Sequence, residues 1–198
     1  MLSVDDALAR MLATITPTTP ERVHVLQCRG RALAEDAVAT EDNPPFDNSA
    51  MDGFAVRAAD LSAASEANPV TLPVLEDIPA GIAPTRVVTP GSVSRIMTGA
   101  MVPEGADSIV MVESTRADGD DVAFMESPRE GQHIRLAGES VRVGDTVLEA
   151  GTMIQPAEMA MLASLNVGEP SVYRRPRVAV ISTGDELTPV VEPLAPGK

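Results

Sequence analysis

The sequence predicts an α+β fold. It has a β-rich middle domain inserted in a small mixed domain, followed by the first strand of an incomplete doubly wound α/β domain. Three observations predict it. Short apolar runs punctuated by Gly, Pro and Asp turns fill residues 51–148, the pattern of a small barrel or sandwich. Apolar residues at helical spacing mark one helix before that stretch and one after it. The run Val178-Ala179-Val180-Ile181 does not alternate, as expected of a strand buried on both faces of a parallel sheet.

Taken in order, residues 3–16 place Val4, Ala7, Leu8, Met11, Leu12 and Ile15 on one helical stripe that must pack on something. Ser3 caps the first turn, Asp5 and Asp6 suit its positive end, and Thr16-Pro17 ends the helix. Val23 and Val25 alternate within a short strand from Arg22 to Leu26, and Arg29-Gly30-Arg31 is a turn. Leu33 to Val38 fits a helical turn or a strand equally well. Residues 43–49 form a loop, because Asn43-Pro44-Pro45 fits no regular element. Candidate strands follow at Gly53–Val56, Val70–Leu75, Ser92–Met97, Ser108–Val112 and Val122–Met125. The Ala/Ser-rich segment from Leu61 to Pro69 is expected to be a mobile surface stretch. A further strand lies between Asp145 and Glu149, and Pro156 opens a helix that Gly168 is placed to stop.

The apolar run ends in Ser182-Thr183-Gly184, where open α/β sheets place their ligands. The Pro-rich residues after Leu187 supply neither partner strand nor covering helix, so the chain is expected to stop just inside a domain. The organisation expected is an N-terminal helix (1–16), a small mixed domain from 17–44 and 146–175, a β-rich domain (45–145), and the start of an α/β domain (176–198).

Composition narrows the chemistry. With 198 residues and 44% hydrophobic content the chain can bury real cores. Aromatics at 2% exclude a stacking platform for sugars or bases. A net charge of -14, from 29 acidic and 15 basic residues, opposes general nucleic-acid binding. An anionic small substrate therefore needs a cation or local arginines to reverse the field. Cys28 is the single cysteine, so no intrachain disulfide forms, and its setting reads as a buried small hydrophobe. Asp5 and Asp6 stand where a secretory signal carries positive charge, and no apolar run approaches the ~20 residues of a membrane span. A cytoplasmic protein with no membrane partner is expected. His24 and His133 have no metal-ligand spacing, and no phosphate-binding loop, dinucleotide fingerprint or nucleophile elbow occurs.

Polar segments carry the remaining possibilities. Asp47-Asn48-Ser49-Ala50-Met51-Asp52-Gly53 gathers oxygen donors that serve either as turn-forming side chains or as ligands to a hard cation such as Mg²⁺. Arg95-Ile96-Met97-Thr98-Gly99-Ala100 is an ordinary strand-to-turn junction or a set of donors for an anion. Ser182-Thr183-Gly184-Asp185-Glu186 is a plain turn or an oxyanion site with carboxylates for Mg²⁺. Arg135 to Arg142, flanking Glu139, reads as a salt-bridged surface turn.

These segments together resemble a known family. Residues 45–56 (Pro-Phe-Asp-Asn-Ser-Ala-Met-Asp-Gly-Phe-Ala-Val) are similar to the signature of molybdopterin molybdotransferases and the gephyrin E domain. Residues 95–107, 135–139 and 182–187 resemble their second, third and fourth motifs, in the same order and spacing, and the likeness covers the whole chain.

The resemblance implies an elongated homodimer that binds adenylylated molybdopterin with Mg²⁺ and releases AMP as molybdate enters the dithiolene. It implies a cleft between the α/β domain of one subunit and the β-rich domain of the other. It places Asp52, Thr98 and Glu186 in catalysis, and Asn48, Ser49, Arg135, Glu139, Ser182, Thr183 and Gly184 at the substrate. Asp52, Asp185 and Glu186 are its metal ligands. It also places the N-terminal helix against the α/β domain, and makes the small mixed domain a linker and dimerisation unit. Ser140 departs from the family's Asp at that position. The chain is expected to be the N-terminal part of such an enzyme and to turn over little by itself. The alternatives are a non-catalytic dimerisation and pterin-binding module, or a gephyrin-like scaffold.

Overall fold

The computed structural model describes residues 2–197, the side chain of Asp118 excepted. Its elements are α1 (Val4–Leu12), β1 (Pro20–Arg22), β2 (Ala37–Val38), β3 (Asn48–Ser49), β4 (Gly53–Val56), β5 (Val70–Ile78), β6 (Val93–Ile96), β7 (Ser108–Met111), β8 (Thr115–Asp118), β9 (Asp121–Phe124), β10 (Ile134–Arg135), β11 (Thr146–Leu148), α2 (Pro156–Ser164) and β12 (Ser171–Tyr173). The α+β expectation holds.

The middle of the chain forms one six-stranded sheet in the order β7-β4-β6-β5-β9-β8, parallel only between β5 and β6. The outermost strands, β7 and β8, are consecutive, joined by the 3-10 turn Val112–Ser114. Three residues span ~10 Å, whereas six flat strands would be ~24 Å across, so the sheet curls until its edges approach.

Alternation along the strands divides the side chains between two faces. Phe54, Val56, Val93, Val110, Val122 and Phe124 fill one core, with Phe54 and Phe124 packed edge to face at 5.6 Å and 84°. Ala55, Ile96 and Ile109 point to the opposite face with Ala100. On β5, Leu72 joins the first core and Ile78 the second. An irregularity between Val74 and Asp77 in the β5/β6 register changes the parity and permits both.

The segment from Leu61 to Pro69 departs from its sequence reading. Ala58–Leu61 is a 3-10 turn, and Leu61 and Ala64 are buried in the first core. This Ala/Ser-rich stretch hides two anchors, which composition alone does not separate from a surface loop.

A second core joins the flanking segments. Val25, Cys28, Leu33, Ala37, Ile154, Leu162 and Val172 pack together, beside the antiparallel pairs β1/β12 and β2/β11. The strand expected at Arg22–Leu26 lies earlier, at β1, and Val25–Gln27 is a 3-10 turn with the His24 imidazole capping Leu26 N–H at 3.2 Å. Cys28 is fully buried and its thiol donates to the Val25 carbonyl; burial raises its pKa and keeps it a thiol.

Gln155 and Glu158 form a reciprocal capping box at α2. The left-handed residue that ends α2 is Asn166, at φ 60°, rather than Gly168. Asn tolerates that conformation, so the glycine two positions on is not needed as the stop.

Both ends present apolar residues to solvent. In α1 the Ser3 hydroxyl accepts the Asp6 N–H at 3.1 Å, but no α1 residue is buried. The expected strand at residues 177–181 has no ladder partner among the described residues, and Val180 is 88% exposed. A strand buried on both faces gains its stability from neighbours on each edge and covering helices, and without them the run stays irregular.

Candidate functional site

The site begins where β4 begins. Gly53 lies so close to β7 that a Cβ there would overlap the Val110 carbonyl. Only glycine permits this approach, and it fixes the residue before it: the Asp52 carbonyl accepts Val112 N–H at 3.1 Å. Across the sheet, β6 ends at Ile96 and Met97 N–H bonds the Ile78 carbonyl at 3.1 Å, which sets the start of the next turn. Gly99, at φ 81°, reverses the chain and donates to the Ser49 carbonyl at 2.8 Å. Thr98 is left facing Asp52.

The contact between them is a two-donor clamp. Thr98 N–H and the Thr98 hydroxyl both donate to Asp52 Oδ1, each at 2.7 Å. The backbone N–H first and the hydroxyl second hold the Asp52 pKa below the ordinary aspartate value, against an opposing effect of desolvation and with a lesser contribution from the Arg95 charge. Asp52 is exposed, and its Oδ2 accepts no hydrogen bond from the described residues. The result is an oriented anion with one oxygen open.

The third segment is tied to the first two. β10 pairs antiparallel with β3, Ile134 opposite Ser49 and Arg135 opposite Asn48. Asp47 Oδ1 accepts Ala137 N–H at 2.8 Å, and Glu139 Oε2 accepts Leu136 N–H at 3.0 Å. Asn48 and Ser49 are buried, and their side chains bond local backbone: Asn48 Nδ2 to the Phe46 carbonyl, Ser49 Oγ to the Met51 carbonyl. Arg135 keeps an exposed side chain beside them. Ser182, Thr183, Gly184, Asp185 and Glu186 lie on the exposed segment after β12, apart from this knit. There Glu186 folds back on its own turn, its carboxylate in the space that a Cβ on Gly184 would need.

Two residues of the neighbourhood carry roles that sequence reading did not assign. Asp47 was one carboxylate among several in its loop, and only the fold shows that it clamps a backbone 90 positions away. Arg95 forms an ion pair with Asp77 at 3.6 Å and lines a cleft of about 530 Å³ floored by Phe54, Val74, Val112 and Val122. Its signal was the single cation in the strand Val93-Ser94-Arg95-Ile96.

A magnesium ion can be tested against these donors. Among the described residues no cluster of three His, Cys, Asp or Glu side chains is placed to hold a metal. Asp52 offers one free carboxylate oxygen, which suits an ion that commonly takes one or two carboxylates and completes its shell with phosphate and water. By itself Asp52 supplies one ligand of such a shell.

The sequence profile of the MoeA N-terminal region (domain I and II) matches residues 2–166. The chain belongs to this family. Among MoeA-family relatives, molybdopterin molybdenumtransferase 2 of Mycobacterium tuberculosis is 48% identical over 96% of this chain and 46% of its own length. The molybdopterin molybdenumtransferase of Nostoc sp. is 43% identical over 90% of this chain and 41% of its own. The crystal structure of the molybdopterin biosynthesis MoeA protein from Pyrococcus horikoshii superposes with a TM-score of 0.80 at 37% identity, covering 87% of this chain and 46% of that one. The chain thus spans less than half the length of these relatives.

Proposed function

We propose that this chain supplies the N-terminal half of a molybdopterin molybdenumtransferase, which inserts molybdate into adenylylated molybdopterin and releases AMP. The observation that supports it most directly is the Asp52–Thr98 clamp, built where two family-like segments meet. Asp52 is the oriented anion of the site. Thr98 fixes its direction and keeps it charged, and Arg95 adds the positive charge that an anionic substrate needs on a face of an acidic protein. Asn48, Ser49 and Asp47 shape the loop, while Arg135 and Glu139 border it as substrate contacts.

Mg²⁺ is the proposed cofactor, with Asp52, Asp185 and Glu186 as its ligands. When bound it neutralises pyrophosphate charge and polarises the phosphorus under attack. Ser182, Thr183 and Gly184 are proposed to bind substrate, and Glu186 to share the catalytic role, once the segment after β12 is brought to the cleft of a homodimer. The setting proposed is cytoplasmic; among the described residues no helix is long and apolar enough to cross a membrane.

The test is AMP release from adenylylated molybdopterin with Mg²⁺ and molybdate. The 198-residue chain alone is expected to stay near background. A protein in which the chain continues to its relatives' length is expected to release AMP, with a loss of about 100-fold or more in Asp52→Ala, the scale of removing a charge-stabilising group. Full activity of Asp52→Ala would remove the basis of the proposal.

A further inference from the structure

Away from the Asp52–Thr98 face, the ends of β1 and β12 enclose a cleft of about 430 Å³ lined by Thr18, Thr19, Arg174, Arg175, Pro176 and Arg177. We propose that this cleft binds the oxyanion of a phosphate-bearing small molecule.

The cleft has a fixed frame. The Thr18 hydroxyl donates to the Arg174 carbonyl at 2.6 Å, and Arg174 N–H donates to the Thr19 carbonyl at 3.2 Å. These bonds extend the β1/β12 ladder past Pro20 and Tyr173 and hold the two walls together.

Its charge is opposite to that of the molecule. In a chain with 29 acidic and 15 basic residues, three guanidiniums line this cleft and no carboxylate does. Glu21 lies nearest, and it is divided between Arg31 and Arg174, the latter at 3.7 Å. Arg175 makes only a long bond, 3.4 Å, to the Arg29 carbonyl. Arg177 has no hydrogen bond or ion pair among the described residues.

Three like charges over four positions repel each other, and of the three only Arg174 has an ion-pair partner among the described residues. A bound anion removes that repulsion. The planar fork of a guanidinium matches phosphate oxygens two at a time, which a lone ammonium does not. The volume falls in the range of small-molecule sites, and the surrounding negative field favours a compact, multiply charged anion over a long acidic chain. This inference does not depend on the molybdenumtransferase reading.

The experiment is a calorimetric titration of the 198-residue chain with inorganic pyrophosphate, with amide shift mapping by NMR. Saturable binding is expected, with shifts centred on Thr18, Thr19 and residues 174–177, and weakening as salt is raised. Arg175→Gln and Arg177→Gln are each expected to weaken it about tenfold. Arg175→Lys should recover only part of the loss, and Arg116→Gln, on β8, should change nothing. Absence of saturable binding, shifts centred elsewhere, an equal loss in Arg116→Gln, or binding of polyglutamate in place of pyrophosphate each overturns the proposal. Should a variant fail to fold, the shift map of the unaltered chain still decides it.

Discussion

Asp52 is exposed to solvent and yet not a free carboxylate. Two donors from one residue fix Oδ1, so the anion is both oriented and favoured over its acid. Since its pKa is lowered in the fold, the ionised form is complete above the ordinary aspartate range. Whatever depends on it is lost only as pH falls through the lowered value. Thr98→Val removes the hydroxyl and keeps the N–H. Carbon-detected titration of the Asp52 carboxyl is expected to show its pKa move up towards the ordinary value, and the acid limb of activity to move up with it. An unchanged titration would show that the hydroxyl contributes nothing. Gly53 acts through the backbone instead. Gly53→Ala forces β4 away from Val110 and is expected to cost about 3 kcal/mol in denaturant unfolding, a typical overpacking effect. A loss under 1 kcal/mol would mean that the two strands are free to separate.

Elements bring these residues together, and their legibility in the sequence follows how much of each element's stability is local. Five expected strands of the β-rich stretch formed, because each has a run of apolar residues bounded by turn chemistry. β8 was missed: Thr-Arg-Ala-Asp carries no alternating apolar set, and it is a strand because β9 pairs with it. The clamp from Asp47 to Ala137 was illegible for the same reason, since only the β3/β10 pairing puts the two together. Asp47→Ala is therefore expected to raise the hydrogen-exchange rate of the Ala137 amide while leaving amides of β4 and β7 protected. Uniform deprotection of the sheet would mean that Asp47 supports the fold as a whole. Within the first core, Phe124→Ala is expected to cost about 3–5 kcal/mol, because Phe124 is fully buried against Phe54 in a sheet that closes around it.

At the scale of the whole molecule, three of the four family-like segments are one hydrogen-bonded body, and the fourth stands outside it. The order of the motifs was legible, since each has its own local chemistry. Their meeting was not, because it depends on a curled sheet and a two-residue pairing that no local pattern encodes. The segment after β12 shows the converse. Its sequence announces a buried strand, and the described residues provide no neighbour, so Val178, Val180 and Ile181 face water. This difference has a direct consequence for proteolysis. Trypsin needs an extended, unpaired backbone, and Arg177 is followed by one, whereas the bond after Arg175 leads into Pro176 and resists cleavage. Arg57, Arg95 and Arg116 lie within or beside the paired sheet. Limited digestion is expected to cut first after Arg177, releasing residues 178–198 and leaving a fragment whose unfolding midpoint matches the intact chain. First cleavage after Arg95 or Arg116 would instead place the weakest point in the six-stranded sheet. The site built on β4 and β6 would then not be the rigid half of the molecule.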